Sequence, residues 1–169
     1  SIYVMVGGED VTTNDYFTNA AIEAVRGMSS VSAATMSSGA SGTIRGTKEE
    51  FTADISAGNG DYALAFPTKL ESGRMWDKAD YEAARRVVTL DSAGAKALFG
   101  TDRVLGMTVQ ITVNGRTSDF TIIGITESQS GYSYNRKVSV SLTMPITALN
   151  TLGEGIGTEP FYQIALLSK

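Results

Sequence analysis

The chain has 169 residues, 42% hydrophobic and 19% charged, which suits one generous domain or two small subdomains sharing a core and argues against wholesale disorder. A net charge of −4 and a pI near 4.8 disfavour nucleic-acid phosphates and anionic lipid headgroups as partners. Cysteine and histidine are both absent, which removes disulfides, thiol chemistry, the usual zinc sites and histidine acid–base catalysis together.

Ile2 to Val6 opens the chain as a strand-like run, and Gly7-Gly8-Glu9-Asp10 reads as a turn. Thr12 or Thr13 can cap a helix with Asp15 in its first turn. Phe17, Ala21, Val25 and Met28, joined by Ile22, share one apolar face, so this helix is expected to lie on a sheet and to stop near Gly27. Val31 to Met36 alternates loosely as a second strand, completing a β-α-β unit whose strands should run parallel or nearly so. The interval from Ser37 to Gly60 is rich in glycine, serine and threonine, with Thr43 to Arg45 and Phe51 to Ile55 as short strand candidates. It reads as a change of subdomain. Asp61 to Phe66 predicts a brief helix ended by Pro67, because proline disfavours helical geometry in its predecessor. Lys78 to Arg86, with Tyr81 and Ala84, predicts another helical turn.

Val87 to Thr126 is the most legible stretch. Val87-Val88-Thr89-Leu90 is a short apolar run suited to a strand buried on both faces. Asp91 is a good N-cap, Ala93, Ala95, Lys96, Ala97 and Leu98 favour helix, and Gly100 stands where a left-handed residue would end it. Two alternating segments follow, Met107 to Val113 and Phe120 to Thr126, with Met107, Val109, Ile111 and Val113 on one face of the first. Asn114-Gly115 tolerates the positive φ of a tight reversal, so the pair reads as a β-hairpin with a polar loop from Asn114 to Asp119. Glu127 to Lys137 is polar and reads as a loop. Val138 to Met144 is a further strand, Pro145 at N1 starts a short helix through Leu149, and Gly153 to Gly157 leads to a last strand, Phe161 to Leu167, beside the first ones.

Candidate chemistry is sparse. Gly39, Gly42 and Gly46 with Thr47-Lys48 lack the register of a phosphate loop, which needs Lys directly after the last glycine. Ser41 fits no nucleophile elbow and has no histidine to activate it. Glu71, Asp77, Asp80 and Glu82 are close in sequence and could serve glycoside hydrolysis or an oxygen-ligated cation, but Arg74, Lys78, Arg85 and Arg86 interleave them, and mutual compensation on a solvated surface is the simpler reading. Arg74 is expected to hold the Gly73 turn through nearby carbonyls or Asp80. No catalytic, cofactor-binding or metal-ligating residue is assigned. Trp76, Tyr132, Tyr134 and Arg136 are the candidates for partner contact, since amphipathic aromatics and arginine are enriched at interfaces.

The order of these elements carries a resemblance. A strand, a helix closing on Leu98-Phe99-Gly100, a turn at Gly106, a hairpin and a strand ending Ile122-Ile123-Gly124-Ile125 resemble the MacB-like periplasmic core domain. So do the Gly73-Arg74 turn with Asp80 after it and the strand running into Met144-Pro145. That family is the extracytoplasmic part of ABC-transporter permeases of the MacB and FtsX type. The resemblance implies an α+β fold in which a membrane-proximal β-α-β subdomain (1–38 and 158–169, its second repeat truncated) carries an inserted, β-rich, membrane-distal subdomain (39–157).

It also implies a non-enzymatic role, with no cofactor, in a cell-membrane protein whose domain is extracellular or periplasmic. A cytoplasmic ABC ATPase would be reached through membrane helices, with a membrane-fusion-type adaptor and a homodimer as further partners, in export or mechanotransmission. No apolar run approaches the roughly 20 residues of a membrane helix. Strand-like runs sit almost at both ends, where domains usually carry loosely held polar residues, so a segment of a longer protein is expected. The competing expectation is a small secreted hydrolase or ligand-binding protein using residues 71–82.

Overall fold

A computed structural model describes residues 2–5, 24, 27–128, 139–153 and 163–168. The predicted helix before Gly27 and the stretch 129–138 lie outside the described residues, apart from the helical residue Ala24.

The first strands form β1 (Ile2–Met5), β2 (Val31–Arg45) and β3 (Glu50–Gly58). Next come α1 (Tyr62–Ala65), β4 (Leu70–Gly73), α2 (Lys78–Glu82), β5 (Val87–Asp91) and α3 (Ser92–Phe99). The chain continues through β6 (Thr108–Val113), β7 (Arg116–Thr126), β8 (Ser139–Pro145), α4 (Ile146–Asn150) and β9 (Gln163–Ser168).

The pairings close a ring. β2 pairs β3, β3 pairs β8, β8 pairs β5, β5 pairs β7, β7 pairs β6, and β6 returns to β2 through Thr43, Ile44 and Arg45 opposite Thr112, Ile111 and Gln110. Closure removes free edges, and the inward side chains, among them Ile44, Ile55, Leu90, Ile111, Phe120, Ile122, Val140 and Leu142, form one buried core. α3 contributes Ala95 and Leu98 to it, and α4 contributes Ile146, Ala148 and Leu149. The expected β5–α3 unit is present as read: β5 is buried along Val87 to Leu90, the Asp91 carboxylate accepts from the Gly94 amide at 3.1 Å, and Gly100 ends the helix at φ 74°.

β2 carries the same sheet beyond the barrel. Its first half pairs β9 from Val31 to Ser37, and its second half pairs β3 from Ser37 to Arg45. β9 also pairs β1, antiparallel to both, so β1 and β2 run parallel with β9 between them, and the last strand lies beside the first ones. The sequence reading broke β2 into two candidates, Val31 to Met36 and Thr43 to Arg45. Ser37-Ser38-Gly39-Ala40-Ser41-Gly42 looks like a loop by composition, yet the strand is continuous. A side chain at Gly42 would strike the Thr112 carbonyl, so small residues here allow β6 to approach.

Two further details differ from expectation. The hairpin loop is not Asn114 to Asp119 but the two residues Asn114 and Gly115, at φ 50° and 78°, and β7 begins at Arg116. The polar run continues the strand because its outer face meets solvent; Thr112 and Thr117 pair their hydroxyls across it at 2.6 Å. Met107 was placed with the buried face but is 42% exposed, outside the strand that buries Val109, Ile111 and Val113. Pro145 sits at the N-cap of α4 rather than at N1.

Candidate functional site

The carboxylate-rich stretch resolves into internal structure. Gly73 takes a left-handed φ of 75°, turning β4 towards Arg74, whose guanidinium donates to the Asp80 carboxylate at 2.7 and 3.2 Å and to the Met75 carbonyl at 3.1 Å. Arg85 donates at 3.1 Å to Asp80 Oδ1, the oxygen that also accepts the longer Arg74 bond. Asp80 and Asp77 cap each other's amides at the start of α2, in a capping box. The Asp80 side chain is fully buried, and the hydrogen bond from Arg74, with smaller help from the Asp77 amide and Arg85, holds its carboxyl well below the usual carboxylate range against the opposing effect of burial. The expected role of Arg74 is thus present: it binds both a carbonyl and Asp80.

The other carboxylates do not converge. Glu82 faces Lys78 at 3.6 Å one turn away on α2, and Glu71 lies 3.5 Å from the Ser92 hydroxyl. Among the described residues no group of three or more acidic side chains is placed to hold a metal ion. An arrangement for hydrolysis needs one carboxyl kept protonated and another free beside it. Asp80 is locked ionised between two arginines, so this stretch does not supply that pair.

Trp76 was a candidate for partner contact. Instead it is 2% exposed, stacks on Tyr62 with ring centroids 5.2 Å apart, and donates its indole N–H to the Thr143 hydroxyl at 3.1 Å. Its neighbours explain this: β5 is covered on its outer side as well as its inner one, and Trp76, Tyr62 and Val87 form that small outer core. Burial raises the Tyr62 pKa, with the Ser56 hydrogen bond opposing. Tyr132, Tyr134 and Arg136 lie outside the described residues.

Beside this outer core runs a groove of about 330 Å³ across β3, β8 and β5. It is lined by hydroxyls, including Ser56, Thr89, Ser141 and Thr143, with Asp54 and Asp91 at its borders. Ser139 bonds Asp54 at 2.5 Å, Thr89 and Thr143 share a hydrogen bond of 2.5 Å, and burial raises the Asp91 pKa while the Gly94 amide opposes it. Asp54, Thr89, Asp91 and Thr143 are thus already engaged in hydrogen bonds within the protein. The sequence reading had no sign of this groove, since single serines and threonines on alternating strands look like solvent-facing residues.

A residue pair that sequence reasoning also missed sits where the β1–β9–β2 part of the sheet leaves the barrel. Asn59 and Asp61, both buried, direct their side chains to the main chain of Ala34 on β2. The sequence placed Asn59 at the end of a glycine- and serine-rich interval and Asp61 at the head of a brief helix, and only the fold brings them to a strand 25 residues before Asn59.

The profile of the MacB-like periplasmic core domain family matches residues 1–167. An uncharacterised ABC transporter permease, YknZ of Bacillus subtilis (strain 168), is 27% identical over 171 residues, covering 98% of this chain and 41% of the relative. The chain therefore spans about two fifths of that relative's length. Among solved structures, the periplasmic region of MacB from Actinobacillus actinomycetemcomitans superposes with a TM-score of 0.74 at 22% identity, over 99% of this chain and 73% of that one. The extracellular domain of YknZ from Gram-positive bacteria gives 0.74 at 19% identity, over 99% and 82%. A domain of a putative permease from Porphyromonas gingivalis gives 0.61 at 16%, over 90% and 69%.

Proposed function

The chain belongs to the MacB-like periplasmic core domain family, extracytoplasmic domains of MacB- and YknZ-like ABC transporter permeases, and from that premise we propose that it is a non-enzymatic relay. In this reading ATP is hydrolysed by a separate cytoplasmic nucleotide-binding domain. The movement reaches this domain through membrane helices and is delivered outside the membrane to an adaptor, a second copy or an exported substrate. No described helix is long and apolar enough to cross a membrane.

The observation that carries the reading is the continuity of β2. A relay has to pass displacement without absorbing it, and a hinge needs a few loop residues that take up changes in φ and ψ. Between the β1–β9–β2 sheet and the barrel no such loop exists on this path: one strand of 15 residues is paired on the way through, first with β9 and then with β3. Ile2 lies opposite Leu166, so β1 and β9 feed the same sheet. The barrel then moves with that sheet as one body. The hydrolase or ligand-binding alternative loses its support, because Asp77 and Asp80 are occupied in a capping box, Asp80 and Glu82 in ion pairs, and Glu71 stands apart from them beside Ser92.

The full-length permease with its ATPase, in proteoliposomes, provides the test. A fluorophore at Asp119, exposed near the hairpin tip, is paired with acceptor-labelled lipid headgroups. Transfer efficiency should differ between the ATP-bound and ADP-bound states. Equal efficiency in both states would remove the relay reading.

A further inference from the structure

β3 leaves β2 early. The last register pair is Ser37 with Gly58, whereas β2 continues back to Val31. On a strand the N–H and C=O of one residue point to the same side, and on the edge that β3 has vacated those of Ala34 would be buried without a ladder partner. Two side chains replace the missing strand. The Ala34 amide donates to Asp61 Oδ2 at 3.2 Å, and Asn59 Nδ2 donates to the Ala34 carbonyl at 3.1 Å. The two are tied together, since the Asp61 amide donates to Asn59 Oδ1 at 3.1 Å. Ala34 is 0% exposed, Asn59 3% and Asp61 9%. Asp61 also anchors α1, its carbonyl accepting from the Leu64 and Ala65 amides, and α1 packs on β2 and β9. Gly60 keeps the turn tight, for a β-carbon there would meet Lys78 Cα at 2.8 Å.

We infer that Asn59 and Asp61 are positioning residues of the relay, a polar latch that fixes the β1–β9–β2 sheet to the barrel by completing the backbone pairing of β2 at Ala34. The inference rests on the relay reading. The latch lies where β2 passes from pairing on one edge to pairing on the other, the point at which a strand held by β9 alone would twist independently. Direction matters in the contact. Asn59 must donate to Ala34 and accept from Asp61 at once, which an amide does and a carboxylate does not. Asn59→Asp is therefore a near-isosteric change that keeps the bond to the Asp61 amide and sets an acceptor against the Ala34 carbonyl.

Spin labels at Met28, before β2, and Asp119, on the barrel, measure the joint in the full-length permease with its ATPase. A second pair, Thr52 and Asp119, lies within the barrel. In the unmodified latch both distance distributions should be narrow and the same in the ATP-bound and ADP-bound states. Asn59→Asp should broaden the Met28–Asp119 distribution by about twofold, as expected of a local opening, and leave Thr52–Asp119 unchanged. Asn59→Ala, which removes the donor without adding charge, should act in the same direction, whereas Thr143→Val, a polar deletion away from the joint, should not. An Asn59→Asp distribution as narrow as the parent's, with the barrel pair intact, would overturn the latch and leave the relay standing. A Met28–Asp119 distance that changes with nucleotide in the parent protein would instead overturn the rigid relay itself.

Discussion

The barrel and the sheet beside it are built on opposite principles. Around the barrel every strand has two strand neighbours, and the ring closes on a core of valine, isoleucine and leucine. The sheet hangs on β2, and where β3 departs, its backbone is completed by side chains rather than by a strand. The barrel's rigidity thus comes from repeated, non-directional burial spread over many residues, whereas that of the junction depends on a few directed hydrogen bonds. A fold with a stiff body and a sparsely secured joint concentrates its mechanical sensitivity in the joint.

Substitutions that attack the barrel should accordingly act on stability. The largest effect is expected at the narrow seam between β2 and β6. Gly42→Val would drive a side chain into the Thr112 backbone and lie 2.9 Å from Val113 Cγ2. A loss of about 3 kcal/mol in denaturant unfolding is expected from such overpacking. A smaller loss, about 2 kcal/mol, should follow Asp80→Ala, which removes hydrogen bonds to a charged group and one half of a capping box. The arginines it would leave behind are half exposed and can turn to water, so the cost falls short of that of a fully buried pair.

Asp80 also gives a pH dependence with a defined sign. Its folded carboxyl titrates well below the ordinary value of 3.8, so the unfolded chain binds the proton more readily. Its contribution is present above that ordinary value and is lost as pH falls from there towards the depressed one. Unfolding free energies at pH 7 and pH 3 should therefore differ less in Asp80→Asn than in the parent protein. Equal slopes would show that the Arg74 and Arg85 contacts are not maintained in solution.

Smaller effects are expected at the outer core and the hairpin. Trp76→Phe keeps a ring against Tyr62 but deletes the bond to Thr143, and thermal unfolding should report a loss of about 1 kcal/mol. Gly115→Ala places a β-carbon at φ 78° with open space around it, so only backbone strain opposes it and the loss should be about 1 kcal/mol or less.

What the sequence made legible follows the same division. β5, α3 and the β6–β7 hairpin were readable because local signals coincide with tertiary burial: an apolar run, an Asp91 cap, a Gly100 stop and an Asn114-Gly115 turn. β2 was not, because its middle is rich in glycine and serine, and Gly42 there makes room for the backbone of β6, a demand set by a strand some 70 residues away in sequence that leaves no local strand signal. Trp76 was misplaced for a related reason. An aromatic beside Arg74 and Asp77 looks exposed until Tyr62 and Thr143 are brought over it. Asn59 and Asp61 are turn-forming residue types in a turn, and their bonds to Ala34 depend on where β3 happens to end.

Hydrogen exchange along β2 in the full-length permease addresses the continuity of that strand directly. If β2 is one unit, the amides of Ala34 and Ile44 should become unprotected through the same cooperative opening, with the same dependence on denaturant. If the amide of Ala34 exchanges through a local opening insensitive to denaturant while that of Ile44 stays protected, the strand is jointed at the junction, and the domain cannot act as a single rigid relay.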